Sequence, residues 1–129
     1  MRSLITVLLF IVNSLSSGFN LVGNTYVANF RVPIVSKSQN IKIHFIDKTN
    51  ANLKLDGFIN NEGNVYYIYD DKRSTFTYKA DETIEKIMRK YLVYLYDIFY
   101  SESNDTHIIT IQSNLFRFKQ KITLRREIA

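Results

Sequence analysis

From Asn24 onwards the chain alternates. In NTYVANFRVPIV, Tyr26, Ala28, Phe30, Val32 and Ile34 fall on one face and Thr25, Val27, Asn29 and Arg31 on the other, the period-2 pattern of a half-buried strand. Pro33 cannot donate to a ladder, which places this end of the strand at a sheet edge. After SKSQN, the stretch IKIHFI sets Ile41, Ile43 and Phe45 against Lys42, His44 and Ile46. NLKLDGF sets Leu53 and Leu55 against Lys54 and Asp56, with Gly57 at a bulge or strand end. NNEGN is the strongest hairpin signal in the chain. It delivers VYYIYD, apolar on both faces and so expected at the centre of a sheet. DDKRS makes a second tight connection into TFTYKA, where Phe76 and Tyr78 face inward.

The period changes at Asp81, which is placed to cap a helix, with Glu82 and Glu85 in a first turn where carboxylates oppose the positive end of the macrodipole. At 100° per residue, Ile84, Ile87, Met88, Tyr91, Leu92, Tyr94, Leu95, Ile98 and Phe99 gather in one arc. The spacing predicts an amphipathic helix over about residues 81–100. Val93, Tyr96 and Tyr100 fall among the polar residues on its far side. Tyrosines supply contact area at low entropic cost, so these three form a candidate protein interface, a second copy of the chain included. SESNDT reads as a loop, and HIITIQ and LFRFKQKITLRRE return to strands. The expected architecture is α+β, a mostly antiparallel sheet of about seven strands with the one helix packed on it.

The N-terminus adds a location. Met1-Arg2-Ser3 is a short basic start, Leu4 to Val12 is nine residues with only Thr6 polar, and NSLSSG follows. That layout predicts a signal peptide over residues 1–18, cleaved after Ser16 or Gly18. Nine apolar residues fall short of the roughly 20 that a spanning helix needs. The expectation is a single secreted or secretory-lumen domain over residues 19–129 with no transmembrane segment after cleavage. The chain has no cysteine, although secreted domains of this size often use disulfides. Nine Phe and nine Tyr must supply stability through packing instead.

Candidate chemistry is sparse. There is no Cys, there are only two His, and no G-x-S-x-G, H-E-x-x-H or glycine-rich phosphate loop occurs, so no catalytic residue, metal or cofactor is assigned and the chain is not expected to be an enzyme. His44 lies on a solvent-facing set and His107 at a strand start, and both read as surface histidines. Acidic pairs such as Asp70-Asp71 lie in turns, where Asp is favoured for backbone reasons. Asn104-Asp105-Thr106 is a glycosylation sequon in a loop, with Asn104 as acceptor.

The last strand is more informative. Arg117, Lys119, Lys121 and Arg125 share one face of LFRFKQKITLRR, broken only by Thr123, opposite Phe116, Phe118, Ile122 and Leu124. Same-face residues stand about 7 Å apart, so the cations form a ladder. It could be a solvated face that blocks edge pairing, or it could bind an acidic protein, a sulfated glycan or an anionic lipid headgroup. Removing Arg2 from the seventeen Lys plus Arg leaves sixteen against twelve Asp plus Glu, a net charge of +4. That excess is compatible with an anionic partner without requiring one. Nucleic acid is disfavoured, because a secreted chain seldom meets it and no recognition motif is present.

Gly23-Asn24-Thr25-Tyr26 opens the first strand and resembles the Gly-x-Trp opening of lipocalin-type barrels, with Tyr in place of Trp. Two strands follow the helix, where that family generally has one. The resemblance implies a barrel that carries a hydrophobic ligand in an interior lined by residues such as Phe30, Phe45 and Tyr67. Three readings follow: a secreted binding protein using the basic strand, a small lipocalin-like carrier, and a self-associating structural protein.

Overall fold

The computed structural model describes residues 21–128. The signal segment over residues 1–18, with its cleavage point, lies outside the described residues. Eight strands follow one another: β1 (Thr25–Val32), β2 (Lys37–Phe45), β3 (Asn50–Gly57), β4 (Asn61–Asp70), β5 (Thr75–Ala80), β6 (Val93–Ser101), β7 (Thr106–Ser113) and β8 (Phe118–Arg126). Among the described residues one helix, α1 (Glu82–Lys90), lies between β5 and β6. Each strand pairs antiparallel with the next, and β8 returns to β1, so the sheet closes into an up-and-down barrel.

Alternation explains most of the wall. Tyr26, Phe30 and Val32 of β1, Ile41 and Phe45 of β2, Leu53 of β3 and Tyr67 of β4 are buried in the interior. Asn29, Arg31, Asn40, His44, Lys54 and Asp56 stand exposed on the outside of β1 to β3. On these three strands, apolar inside and polar outside is the reverse of what a lipid-spanning barrel needs. Among the described residues no helix is long and apolar enough to cross a membrane.

Closure revises several expectations. Pro33 marks no sheet edge: it sits in the β1–β2 turn just past β1, where its missing N–H interrupts no ladder. VYYIYD is not covered on both faces. Val65, Tyr67 and Tyr69 turn inward, while Tyr66 and Ile68 face outward, the latter 70 % exposed. The β3–β4 turn lies at residues 58–60, so most of NNEGN belongs to β4. Its glycine serves close packing instead. A Cβ on Gly63 would come within 2.6 Å of Ile84 Cγ1 and 2.8 Å of Asp81 Oδ1.

The helix is half as long as its pattern suggests. Asp81 caps it, its side chain accepting from Ile84 N, with Glu82 and Glu85 in the first turn and Arg89 and Lys90 in the last. Leu92, with φ 51°, ends the turn that follows. The residues Val93 to Ser101 then form an eighth strand, not a helix. Asp97, also at φ 51°, makes a bulge that shifts the register between Tyr96 and Phe99. The inward positions therefore run Val93, Leu95, Ile98, Tyr100. The extra residue breaks the period of two and inserts a spacing of three, which imitates a helical face. The expected mostly antiparallel sheet with one helix stands among the described residues, but it closes into a barrel, has eight strands where about seven were expected, and carries a shorter helix.

Two seams are thin. β1 and β8 share two ladder pairs, Tyr26 with Arg126 and Val27 with Arg125. β5 and β6 share one, Thr75 with Phe99, and the Tyr78 hydroxyl donates across that seam to the Leu95 carbonyl at 3.2 Å. Helix α1 packs against β4, β5 and β6.

Gly63→Ala tests the helix packing. Crowding Ile84 and the Asp81 cap should cost about 1–3 kcal/mol in urea unfolding, and the penalty should shrink, without vanishing, in an Ile84→Ala background, where the nearer of the two clashing groups is gone.

Candidate functional site

The barrel encloses a cavity of about 150 Å³. Its position follows from side-chain size. Ala51, Val65 and Ala80 are successive partners across β3, β4 and β5, and this row of small residues lines the cavity. Larger groups fill both ends. At one end Phe58, Tyr91 and Phe116 pack together, with Phe58 and Phe116 5.3 Å apart, and Ile84, Ile87 and Met88 of α1 join the cavity wall. At the other, Tyr26, Phe45, Phe76 and Tyr100 surround the ring of His107, with centroids 4.3 to 5.3 Å from it.

Most polar groups in the wall are committed elsewhere. Gln39 donates to the carbonyls of Asn40, Asp56 and Ile59 and accepts from Ile59 N. Tyr67 donates to the Asp47 carbonyl. Ser113 donates to the Tyr91 carbonyl and accepts from Phe116 N. His107 is the exception: it is 3 % exposed, and its Nε2 is buried without a hydrogen-bond partner.

A charged hub closes the His107 end. The hydroxyls of Tyr26 and Tyr100 both donate to Asp105 Oδ1, at 2.6 and 2.8 Å, while Arg126 Nε lies 3.2 Å from Asp105 Oδ2. Burial alone would raise the Asp105 carboxyl, but the two tyrosine donors and Arg126 hold it below its ordinary value. Burial and the bond to Asp105 push the Tyr26 hydroxyl up to about 12, and Tyr100 is raised by the same two causes. Burial takes His107 down to about 4, only partly offset by the Asp105 carboxylate, so the ring is neutral in ordinary buffers.

No protein-family model matches this chain, and no curated protein or solved structure gives a significant match. The likeness to lipocalin-type barrels therefore rests on Gly23 to Tyr26 and on the barrel. Within it those residues have clear work. Gly23, at φ 84°, donates to the Phe45 carbonyl at 2.7 Å, and Tyr26 is fully buried at the centre of the aromatic cluster.

The residues singled out from the sequence are dispersed. Phe30, Phe45 and Tyr67 do line the cavity. Val93, Tyr96 and Tyr100 share no surface: Val93 lines the cavity and Tyr100 packs on His107, leaving Tyr96 on the outer face. Lys119, Lys121 and Arg125 stand exposed along the outside of β8, and Arg117 falls in the preceding turn. Among the described residues no carboxylate lies within ion-pair distance of these four, and Lys119 Nζ sits 5.6 Å from the centre of the Tyr96 ring. Asn104 is exposed in the β6–β7 turn beside the Asp105 hub. His44 is exposed, its Nδ1 2.8 Å from Thr25 Oγ1. His107 is not a surface residue, and alternation carried the signal, since it shares a face with Ile109 and Ile111. Among the described residues no three His, Asp or Glu are placed to hold a metal ion.

The buried imidazole predicts a pH dependence. From its ordinary value of 6.5 down to about 4, the unfolded chain binds a proton that the native state does not, so stability falls as the pH falls through this window. The loss should be roughly 2–3 kcal/mol between pH 7 and 4.5. His107→Phe should flatten this part of the profile in urea midpoints measured across the range. Above pH 10 the raised Tyr26 and Tyr67 hydroxyls, both at about 12, reverse the sign: unfolded tyrosines ionise first and stability falls as the pH rises.

Proposed function

We propose that this protein is a small secreted binding protein that carries a compact apolar molecule inside its barrel. The cavity supports this reading most directly. Eight strands give an interior just wide enough for side chains or one small ligand, and here the Ala51, Val65, Ala80 row leaves the centre unfilled. An apolar cavity of this size stays dry and accepts a guest as large as benzene, so the ligand has roughly six to ten non-hydrogen atoms. Secretion is proposed from the pattern of residues 1–18, and binding without catalysis from the scarcity of reactive side chains in the cavity wall.

Toluene titrated into the protein should shift the methyl resonances of Val65, Leu53 and Ile109 with an affinity on the order of 0.1–1 mM. Ala51→Leu, which fills the cavity, should abolish those shifts while preserving the fold. Shifts confined to the outer surface would remove the carrier reading.

A second reading concerns the outer face. Across β6, β7 and β8, Tyr94, Gln112 and Lys119 form one row and Tyr96, Thr110 and Lys121 the next. A column of aromatics thus runs beside a column of cations that have no carboxylate partners among the described residues. This arrangement suits an anionic partner, which would meet positive charge and flat apolar area together. Neutralising Arg117, Lys119, Lys121 and Arg125 to Gln should lower the salt needed to elute the protein from heparin well beyond a matched control at Arg73, Lys79, Lys86 and Arg89. Equal shifts would show that only net charge matters.

A further inference from the structure

We infer that the ligand carries a hydroxyl group and that this group hydrogen-bonds to Nε2 of His107 at the aromatic end of the cavity. The inference rests on the carrier reading and specifies its ligand as a small alcohol or phenol. Its basis is the disposition of the polar groups in the wall. The side chains of Gln39, Tyr67, Tyr78 and Ser113 make their bonds within the protein. His107 lines the same cavity with Nε2 buried and unpartnered. A buried polar atom left in this state is destabilising, and an apolar side chain in its place would remove the penalty.

Among the described residues two other buried atoms lack partners, the Tyr69 hydroxyl and Thr110 Oγ1, but neither residue is among those that line the cavity. Thr110 lies on the outer face between Tyr96 and Lys121.

The ligand class follows from the imidazole. A neutral ring nitrogen donates in one tautomer and accepts in the other, and a hydroxyl can answer either, whereas a ketone or ether answers only the donor form. A carboxylate is poorly suited. Among the described residues no Lys or Arg lines the cavity, so a buried anion would be left without a counter-charge. The rings of Tyr26, Phe45, Phe76 and Tyr100 pack around His107 and hold the imidazole in place.

Phenol and toluene, nearly equal in size, separate the hydroxyl from the apolar body. The ratio of phenol to toluene affinity should be five- to thirtyfold higher in the wild-type protein than in His107→Phe. An unchanged ratio, with toluene still bound, overturns the hydroxyl assignment and leaves the carrier reading intact. Failure of the wild-type protein to bind toluene or phenol removes both. Should His107→Phe fail to fold, the wild-type protein labelled with ¹⁵N-histidine decides the matter: the Nε2 resonance of His107 should move with phenol and stay in place with toluene. No difference between the two ligands would refute the assignment.

Discussion

Everything at one end of the barrel hangs on a single carboxylate. β1 and β8 share only two ladder pairs, and Asp105 adds side-chain bonds across that seam. It gathers a tyrosine from β1, a tyrosine from β6 and an arginine from β8 onto one turn. Charge-assisted bonds of this kind are shorter and roughly twice as strong as neutral ones. Because both tyrosines must point their hydroxyls at the same oxygen, their rings turn inward, and His107 is held between them. In a chain without cysteine, this hub and the aromatic cluster beneath it occupy the place that a disulfide holds in many small secreted domains.

The cavity is the counterpart of that packing. Rings crowd both ends, so the interior is pinned at its limits, while the middle of the wall is built from alanine and valine. Side chains anchored at the two ends cannot relax into the centre without giving up their ring contacts, and the space stays open. A core designed only for stability would fill it, because empty volume forfeits dispersion contacts on every side.

Much of this was legible in the sequence, and the failures have physical causes. Seven strands are legible, most of them by alternation and VYYIYD as an apolar run between turn signals, and Asp81 marks the helix start. KYLVYLYDIFY misled because one residue at Asp97 stands outside the ladder, and a single insertion turns a strand's inward positions into a passable helical face. NNEGN looked like a turn because glycine usually means one, whereas Gly63 is small to admit Ile84. His107 reads as a surface group only because histidine is intermediate in its burial preference; its companions Ile109 and Ile111 show which way it points. Closure itself was beyond pattern reading, since the β1–β8 contact joins residues about a hundred positions apart.

The scarcity of rungs between β5 and β6 marks the weakest line in the barrel wall. Parting β6 from β7 would break seven ladder pairs, whereas parting β5 from β6 breaks one pair and a tyrosine bond. The opening that disrupts least is therefore a slit in the side wall beneath α1, not at either plugged end.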